Sequence, residues 1–219
     1  MPNVIILIAR IAPATPENRA LHHSLQSERA RQLIAPACAL LDASATAGWR
    51  IDQGSPPQLL QEDGQPAPGW ISLSHSDCWV GCLVSLAGPA GFDLETCQHR
   101  EFSTLLDYLA SKREQKWLQR RFGDDPAQRF YACWTLKEAL GKLYRSGWDA
   151  STSQLDLTGL DRTDNSEAAI QAMHLTLPEW ELALSCALRS PAPLSPRLFV
   201  SDPQGKTSPL VPPAPWTSR

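Results

Sequence analysis

Alternating apolar and polar positions recur in short stretches of the chain and predict β-strands. Because successive side chains of a strand point to opposite faces, such alternation is typical of a strand with one buried face. An unbroken apolar run at 4–8 predicts a first strand that is buried more completely. The other predicted strands cover residues 70–74, 79–86, 91–95, 154–157, 172–177 and 180–188.

Apolar residues with helical spacing predict three helices. They cover residues 17–41, 104–121 and 130–144, and the last has the most regular apolar face. Between the first helix and the strand at 70–74, the Gly- and Pro-rich stretch 53–69 predicts loops and turns.

A faint internal repeat indicates two similar halves. Residues 79–86 and 180–187 are both amphipathic, begin with Trp and are followed by Pro within a few residues, although chance could produce this much similarity. The proline-rich C-terminal segment shows no periodicity and is predicted to be an extended tail outside the core. The predicted organisation is an N-terminal subdomain over 1–97, a C-terminal subdomain over 98–190 and a tail over 191–219.

Composition narrows the classes of protein that the chain can belong to. Of its 219 residues 42% are hydrophobic and 20% are charged, which is typical of a globular protein and excludes disorder throughout. No apolar run approaches the ~20 residues needed to span a bilayer, and no secretory signal pattern opens the chain. The six cysteines form no C-x-x-C pair, which disfavours zinc. We therefore expect a soluble, cytoplasmic protein without a membrane partner.

The charges are distributed unevenly. The net charge of −3 argues against general nucleic-acid binding, but residues 100–145 hold ten basic and six acidic residues, so this segment is +4 and the rest is −7. A local positive field can steer an anionic partner. The alternative is an ordinary solvated helix face.

The sequence Ser-Leu-Ser-His-Ser at 72–76 lies at the end of a predicted strand. Hydroxyl groups, an imidazole and backbone amides at a strand-to-loop junction can all donate hydrogen bonds to a phosphate. A surface histidine flanked by serines, without any binding role, is the alternative.

The sequence Gly-Phe-Asp-Leu-Glu at 91–95 places two carboxylates, Asp93 and Glu95, on one face of a predicted strand. Adjacent carboxylates repel each other and are most easily tolerated when a hard cation lies between them. Oxygen ligands favour Mg²⁺ or Mn²⁺ over Zn²⁺. The alternative is a solvated strand face.

The third motif, Trp-Thr-Leu-Lys-Glu-Ala-Leu-Gly-Lys at 134–142, lies in the most regular predicted helix. Glu138 and Lys142 are four residues apart and share a helix face with Trp134. The alternative is a helix-stabilising ion pair worth only ~0.3–0.5 kcal/mol. Gly141 costs ~1 kcal/mol relative to Ala in a helix interior, which indicates a close packing contact.

In this order, the three motifs resemble those of the 4′-phosphopantetheinyl transferase superfamily, in its Sfp-like branch of single chains with two subdomains. The resemblance covers about 64–190. It implies an α+β fold of two pseudo-twofold-related subdomains, each a small antiparallel sheet packed with helices. It also implies Mg²⁺-dependent transfer of the 4′-phosphopantetheine arm from coenzyme A to a serine of an apo acyl or peptidyl carrier protein, with release of adenosine 3′,5′-bisphosphate.

The resemblance assigns roles to seven residues. Asp93, Glu95 and Glu138 match the metal-binding acids, and Glu138 is also the candidate general base. Lys142 matches the lysine at the coenzyme A phosphates, so that Glu138, Lys142 and Asp93 form the predicted catalytic set. The predicted coenzyme A residues are Ser74 and His75, which match the holders of the 3′-phosphate, together with Lys142 and Lys137.

The chain departs from the family pattern at two places. Gln65 stands where the family often has a lysine, and the basic cluster that the family usually has in the first helix is thin, with Arg29 and Arg31 as candidates. One cationic contact to coenzyme A is therefore missing or supplied from elsewhere. The alternatives to transfer are a catalytically weak or inactive protein that binds coenzyme A or a carrier, and a Mg²⁺-dependent hydrolase of a nucleotide. Because one chain contains both halves, we expect a monomer.

Overall fold

The computed structural model describes residues 3–44, 46–54, 56–144, 154–161, 169–190, 194–211 and 215–218. In these residues the α-helices are α1 (Arg19–Gln32), α2 (Ile34–Asp42), α3 (Phe102–Leu109), α4 (Lys112–Phe122) and α5 (Pro126–Tyr144). The strands are β1 (Val4–Arg10), β2 (Arg50–Ile51), β3 (Leu59–Leu60), β4 (Trp70–Ser76), β5 (Trp79–Ser85), β6 (Ala90–Thr96), β7 (Ile170–Leu177), β8 (Leu182–Arg189), β9 (Arg197–Ser201), β10 (Thr207–Pro209) and β11 (Trp216–Thr217). None of the helices described has both the length and the apolar content needed to cross a membrane.

The first of two compact units comprises Met1–Ala90 and Ser195–Val211. Its five-stranded sheet has the order β10-β9-β1-β5-β4. The central strand β1 is antiparallel to β5 and parallel to β9, and its residues from Val4 to Ala9 are at most 3% exposed. Burial on both faces explains why β1 is a continuous apolar run rather than an alternating one. Apolar residues of α1 and α2 pack against this sheet.

The first helical region is two helices, whereas the sequence predicts one over 17–41. Helix α1 ends at Gln32 and α2 begins at Ile34, with Leu33 between them. Pro36 lies in the first turn of α2. Proline has no N–H to donate, and the first turn of a helix is where that donor is not needed. The position of Pro36 therefore favours a new helix start over a continuous helix.

The second unit comprises Gly91–Leu194 and Pro212–Arg219. Its four-stranded sheet has the order β11-β7-β8-β6, in which β7 is antiparallel to β8 and to β11. Helices α3, α4 and α5 form a common apolar core with this sheet. The α+β class is thus confirmed, with the parallel β1–β9 pair as an addition to the predicted antiparallel pairing. The pseudo-twofold relation between the two halves stays a prediction.

The predicted helix over 104–121 is also two helices, because a capping box starts α4. The hydroxyl of Ser111 accepts a hydrogen bond from the backbone N–H of Glu114 at 3.3 Å, and the Glu114 carboxylate accepts one from the N–H of Ser111 at 2.9 Å. Ala110 before it has an extended backbone. The S-x-x-E pattern is a known helix-start signal that outweighs the continuous apolar spacing here.

The domain limits differ from those predicted. The two units divide between Ala90 and Gly91 rather than after Cys97, because β6 joins the second sheet. The prediction that 191–219 is a tail outside the core is wrong. Strand β9 pairs with β1, its Leu198 and Phe199 are 5% and 8% exposed, and β11 pairs with β7. The high proline content concealed short apolar segments that complete both sheets.

The predicted strand at 154–157 is likewise absent from the described part of that region. Residues 154–156 lie outside any strand, and a 3₁₀ helix, Leu157–Asp161, follows. Leu157 and Leu160 are buried in the core of the second unit. Their burial at a spacing of three residues explains why the apolar pattern belongs to a 3₁₀ turn, in which residues i and i+3 align.

Candidate active site

Strand β6 and helix α5 approach each other closely at Gly91. A Cβ atom at this position would lie 1.9 Å from the carbonyl oxygen of Ala139 and 2.5 Å from the amide nitrogen of Leu143. No side chain fits in that space without moving the helix backbone. Phe92 and Leu94 are completely buried and anchor the strand. Gly91 therefore sets where the polar residues of β6 lie relative to those of α5.

Asp93 and Lys142 form an ion pair between this strand and this helix. The ammonium of Lys142 donates to Oδ1 of Asp93 at 2.7 Å, and the side chains are 29% and 6% exposed, respectively. In the sequence, an i,i+4 ion pair of Glu138 with Lys142 along the helix is the alternative to a functional role. The structure gives Lys142 an ion-pair partner on the strand, so this pair links two elements of the site.

Glu95 is held by Trp134, a residue to which the sequence gave a position on the helix face but no function. The indole Nε1 of Trp134 donates to Oε1 of Glu95 at 3.2 Å. The Trp134 ring is stacked with that of Phe130, with ring centroids 6.1 Å apart. Its spacing of four residues from Glu138 is the sequence signal that could have identified it as a positioning residue.

The carboxyl group of Glu138 is an unusually weak acid. Burial is the largest cause that raises its pKa, from 4.5 to about 7, and the negative charge of Asp93 raises it further. The charge of Lys142 lowers this pKa, and that of Glu95 raises it. The charges of Asp93, Glu95 and Lys142 thus all act on Glu138, and we call these four residues the electrostatic group. A carboxyl with a pKa near neutrality is suited to accept and return a proton.

The chemistry of this group fits a hard divalent cation. Three carboxylates supply only oxygen donors. Burial is the main cause of the raised pKa of Glu138, and repulsion by Asp93 and Glu95, which a cation would offset, adds to it. Across the described ranges, no three or more His, Cys, Asp or Glu side chains form a preassembled metal site. The donor types therefore fit Mg²⁺ or Mn²⁺, while their present arrangement is one in which Lys142 neutralises Asp93.

The structure does not bring Lys137 to this group, although the sequence assigned it to coenzyme A. Its side chain is 0% exposed, its Nζ lies 3.0 Å from Oε1 of Glu114, and it donates to the carbonyl oxygen of Leu109 at 2.8 Å. Oε1 of Glu114 also accepts from the backbone N–H of Leu157 at 3.2 Å. This geometry corrects the assignment, because a completely buried ammonium with these partners faces the core rather than a ligand.

Ser74 and His75 lie on β4, at one edge of the sheet of the first unit. Ser74 is buried at 6% exposure and His75 is half-buried. As consecutive residues of a strand they point to opposite faces of the sheet. Their side chains therefore do not form a single cluster, and their predicted contact with a 3′-phosphate stays a prediction.

Arg29 and Arg31 of α1 are engaged by backbone carbonyl groups of their own unit. Arg31 donates to the carbonyl oxygens of Asp52 and Gly54, at 3.3 and 2.6 Å. Arg29 donates to the carbonyl oxygen of Asp202 at 3.4 Å and to the side chain of Gln32 at 3.3 Å. These contacts give both arginines a structural function in the first unit.

The fold and the site define a class of α+β proteins. In this class the acidic residues of a G-x-D-x-E strand lie next to a helix with the pattern W-x-x-K-E. A sequence model of the 4′-phosphopantetheinyl transferase superfamily matches residues 89–191. This stretch contains β6, α5 and all four residues of the electrostatic group. These residues therefore match the 4′-phosphopantetheinyl transferase superfamily, which the motifs resemble.

Several named relatives share this similarity. The chain is 28% identical to the 4′-phosphopantetheinyl transferase AcpT of Salmonella typhimurium over 146 residues, which are 64% of this chain and 70% of AcpT. It is 29% identical to AcpT of Escherichia coli K12 over 146 residues, 64% of this chain and 69% of AcpT. It is 30% identical to the 4′-phosphopantetheinyl transferase gsp of Aneurinibacillus migulanus over 77 residues, 35% of this chain and 32% of gsp. The matches thus span from about a third to about two thirds of these relatives.

Proposed function

We propose that this protein transfers the 4′-phosphopantetheine arm of coenzyme A to a serine of an apo carrier protein. The observation that carries the proposal is the group of three carboxylates and one lysine where β6 meets α5, linked by the Lys142–Asp93 ion pair and by the raised pKa of Glu138. The match of residues 89–191, which hold this group, to the superfamily model supports it, as does the similarity of the chain to named transferases.

In the proposed reaction the serine oxygen attacks the phosphorus atom that carries the pantetheine arm. A P–O bond to the serine forms, the pyrophosphate P–O bond breaks, and adenosine 3′,5′-bisphosphate leaves. Such a transfer depends mainly on positioning and on stabilisation of negative charge. Glu138 takes the serine proton, Lys142 places positive charge at the leaving phosphate, and Asp93 holds Lys142 in position.

We also propose that Asp93, Glu95 and Glu138 hold Mg²⁺ or Mn²⁺ as the cofactor. When bound, such an ion supplies positive charge that offsets the charge of the pyrophosphate oxygens. Calorimetric titration of Mg²⁺ into the protein without substrate should show binding that the Asp93→Ala variant loses. Equal binding by both proteins would contradict this ligand set.

The proposed protein partner is an acidic, helical carrier protein, and α4 offers a surface for it. The exposed basic residues of α4 are Lys112, Arg113, Lys116, Arg120 and Arg121. Its one acidic residue, Glu114, faces the core and is neutralised there by Lys137. Lys112 and Arg121 form ion pairs with Asp107 and Asp161, so the net positive charge of this outer face comes mainly from Arg113, Lys116 and Arg120. Docking on this face should weaken as salt screens the charges. A KM for the carrier that is flat from low to high ionic strength would argue against this surface.

The decisive test is loading of a panel of apo carrier proteins with coenzyme A and Mg²⁺, followed by intact-protein mass spectrometry. The wild-type protein should add the pantetheine arm to at least one carrier. Asp93→Ala and Glu138→Gln should abolish the addition, whereas Glu179→Gln, which removes an exposed carboxylate elsewhere in the second unit, should not. Near-normal loading by either site variant, with an unchanged circular dichroism spectrum, would contradict the assignment.

Two other functions remain as outcomes of this test. Binding of coenzyme A without loading of any carrier would indicate a binding or regulatory protein, for which Gln65 and the engaged arginines of α1 are the supporting observations. Release of free phosphopantetheine in the absence of a carrier would indicate a hydrolase.

A further inference from the structure

The hydroxyl of Tyr131, on α5, binds both backbone groups of a residue that lies just beyond β6. It accepts a hydrogen bond from the backbone N–H of Gln98 at 2.6 Å and donates one to the carbonyl oxygen of Gln98 at 3.0 Å. A phenol can do both at once, because it has one hydrogen to donate and lone pairs to accept with. Neither residue belongs to the three motifs identified in the sequence.

Tyr131 is itself held firmly in the core of the second unit. It is 4% exposed. Its ring meets those of Phe130 and Phe102 edge-on, with centroids 5.1 and 5.7 Å away. Its backbone carbonyl accepts a hydrogen bond from the hydroxyl of Thr135 at 2.8 Å. The phenol hydroxyl is therefore a fixed point to which the exposed chain at Gln98 is attached.

This attachment lies next to one of the proposed metal ligands. Strand β6 is the outermost strand of the described sheet, and Glu95 is its second-last residue. The ends of outermost strands are held less firmly than central strands and open more readily. Glu95 is thus the carboxylate of the electrostatic group whose position depends most on how the chain beyond β6 is held.

Two further contacts hold the end of this strand. The backbone N–H of Cys97 donates to the carbonyl oxygen of Glu181 at 2.6 Å, which attaches the chain to the neighbouring turn before β8. The indole of Trp134, three residues after Tyr131 on α5, donates to the carboxylate of Glu95. Helix α5 therefore holds this region at two points, the side chain of Glu95 and the main chain three residues later.

We propose that Tyr131 is a positioning residue for Glu95, which fixes the main chain beyond β6 and thereby keeps the Glu95 carboxylate where the electrostatic group binds a divalent cation. This inference rests on the proposed function and deepens it. Residues that support a metal ligand from behind typically change metal affinity 10- to 100-fold. Because the contacts of Cys97 and Trp134 remain when the phenol hydroxyl is lost, we expect an effect of about tenfold.

Tyr131→Phe tests this inference, because it removes the hydroxyl and keeps the packed ring. Calorimetric titration of Mg²⁺ into the protein without substrate should give a Kd about tenfold higher than that of the wild type. In the metal-free protein, hydrogen exchange of the Gln98 amide should be faster in the variant, because this N–H loses its partner. The affinity for coenzyme A in EDTA should be unchanged.

Two controls separate positioning from a general loss of stability. Tyr108→Phe removes the same hydroxyl from a side chain that is 83% exposed on α3, and it should match the wild type in every measurement. Leu160→Val shortens a buried side chain of the same core. It should lower the melting temperature at least as much as Tyr131→Phe, by about 2–4 °C, and leave Mg²⁺ affinity unchanged.

Unchanged Mg²⁺ affinity in Tyr131→Phe would overturn the inference. So would an equal loss of affinity in Leu160→Val, unchanged exchange of the Gln98 amide, or a wild-type protein that binds no Mg²⁺. If Tyr131→Phe weakens Mg²⁺ as expected but the wild type loads no carrier, the positioning function stands and the transferase assignment fails. If carriers are loaded while Tyr131→Phe binds Mg²⁺ normally, the transferase assignment stands and the inference about Tyr131 fails.

Discussion

Helix α5 carries two lysine–carboxylate ion pairs that have similar geometry and different surroundings. Lys137 and Glu114 are 3.0 Å apart, with side chains 0% and 6% exposed. Lys142 and Asp93 are 2.7 Å apart, with side chains 29% and 6% exposed. The first pair lies among core residues of the second unit, and the second lies where strand β6 meets the helix.

The two ion pairs differ in the other groups that interact with their charges. Backbone groups of Leu109 and Leu157 provide further partners for Lys137 and Glu114, so the protein itself satisfies these charges. Lys142 forms an ion pair with Asp93, while burial and, after it, the charges of Asp93 and Glu95 raise the pKa of Glu138. A buried pair with backbone partners stabilises one packing arrangement, whereas an incompletely neutralised group is suited to bind a charged ligand.

The largest expected effect follows removal of the buried cation. Lys137→Met leaves the Glu114 carboxylate buried without its counter-charge, which should lower the free energy of unfolding by about 3–5 kcal/mol. Urea denaturation followed by circular dichroism measures this. The double variant Lys137→Met with Glu114→Leu, which removes both charges, should recover part of the loss. A loss below about 1 kcal/mol in the single variant would show that the pair is not structural.

The counterpart at the site should change activity more than stability. Lys142→Met removes a partly exposed ammonium but leaves the buried Asp93 carboxylate without it, so we expect the free energy of unfolding to fall by about 1–3 kcal/mol, less than in Lys137→Met. Carrier loading should fall by at least about 100-fold, because a positive charge at the leaving phosphate is lost. Mass-spectrometric loading rates and urea denaturation give both values. A large loss of stability with little loss of activity would reverse the roles assigned to the two lysines.

The sequence distinguishes these two lysines only in part. Strands β4, β5 and β6 and helix α5 follow from the apolar pattern, because each has regular spacing over seven or more residues. Helix α5 is buried around most of its circumference, so its pattern does not show which polar residue faces the core. The S-x-x-E signal at 111–114 marks a helix start, but the inward direction of Glu114 depends on tertiary packing.

Other parts could not be predicted because they depend on contacts distant in sequence. Strand β9 pairs with β1 across nearly the whole chain, and a five-residue strand between prolines has too little pattern to be recognised alone. The Gly91 motif was visible, yet its contact with Ala139 appears only once the strand and helix are packed together. The contact of Tyr131 with Gln98 likewise depends on how α5 packs against the chain that follows β6.

A smaller effect is expected from replacing Glu138, and its size depends on pH. Below pH 4.5 the carboxyl is protonated in both states. Between 4.5 and about 7 the folded protein keeps a proton that the unfolded chain has released, so stability falls as pH rises. Above about pH 7 Glu138 is ionised in both states, and the free energy of unfolding is lowered by the full cost of keeping its charge in the folded protein. Without divalent cations, Glu138→Gln should therefore be more stable than the wild type at pH 8, by roughly 1–2 kcal/mol after allowance for solvent screening.

Thermal denaturation in EDTA at pH 4 and pH 8 measures this difference. The two proteins should melt at similar temperatures at pH 4, and the variant should melt higher at pH 8. Glu179→Gln is the control, because its carboxylate is exposed and lies outside the electrostatic group. An advantage of Glu138→Gln that is equal at both pH values would mean that ionisation of Glu138 is not its cause.

The smallest effect is expected for the exposed ion pair of Lys112 with Asp107, although its charged atoms lie closer together than those of the two pairs of α5. Lys112 and Asp107 are 2.6 Å apart, with side chains 80% and 60% exposed, and hydrogen bonds from Lys112 and Gln115 lower the pKa of Asp107. If distance decided the contribution of an ion pair, Lys112→Ala would reduce stability more than Lys137→Met. Because water and salt screen exposed charges, its melting temperature should instead equal that of the wild type within experimental scatter. A fall comparable to that of Lys137→Met would mean that burial is not what separates the two pairs of α5.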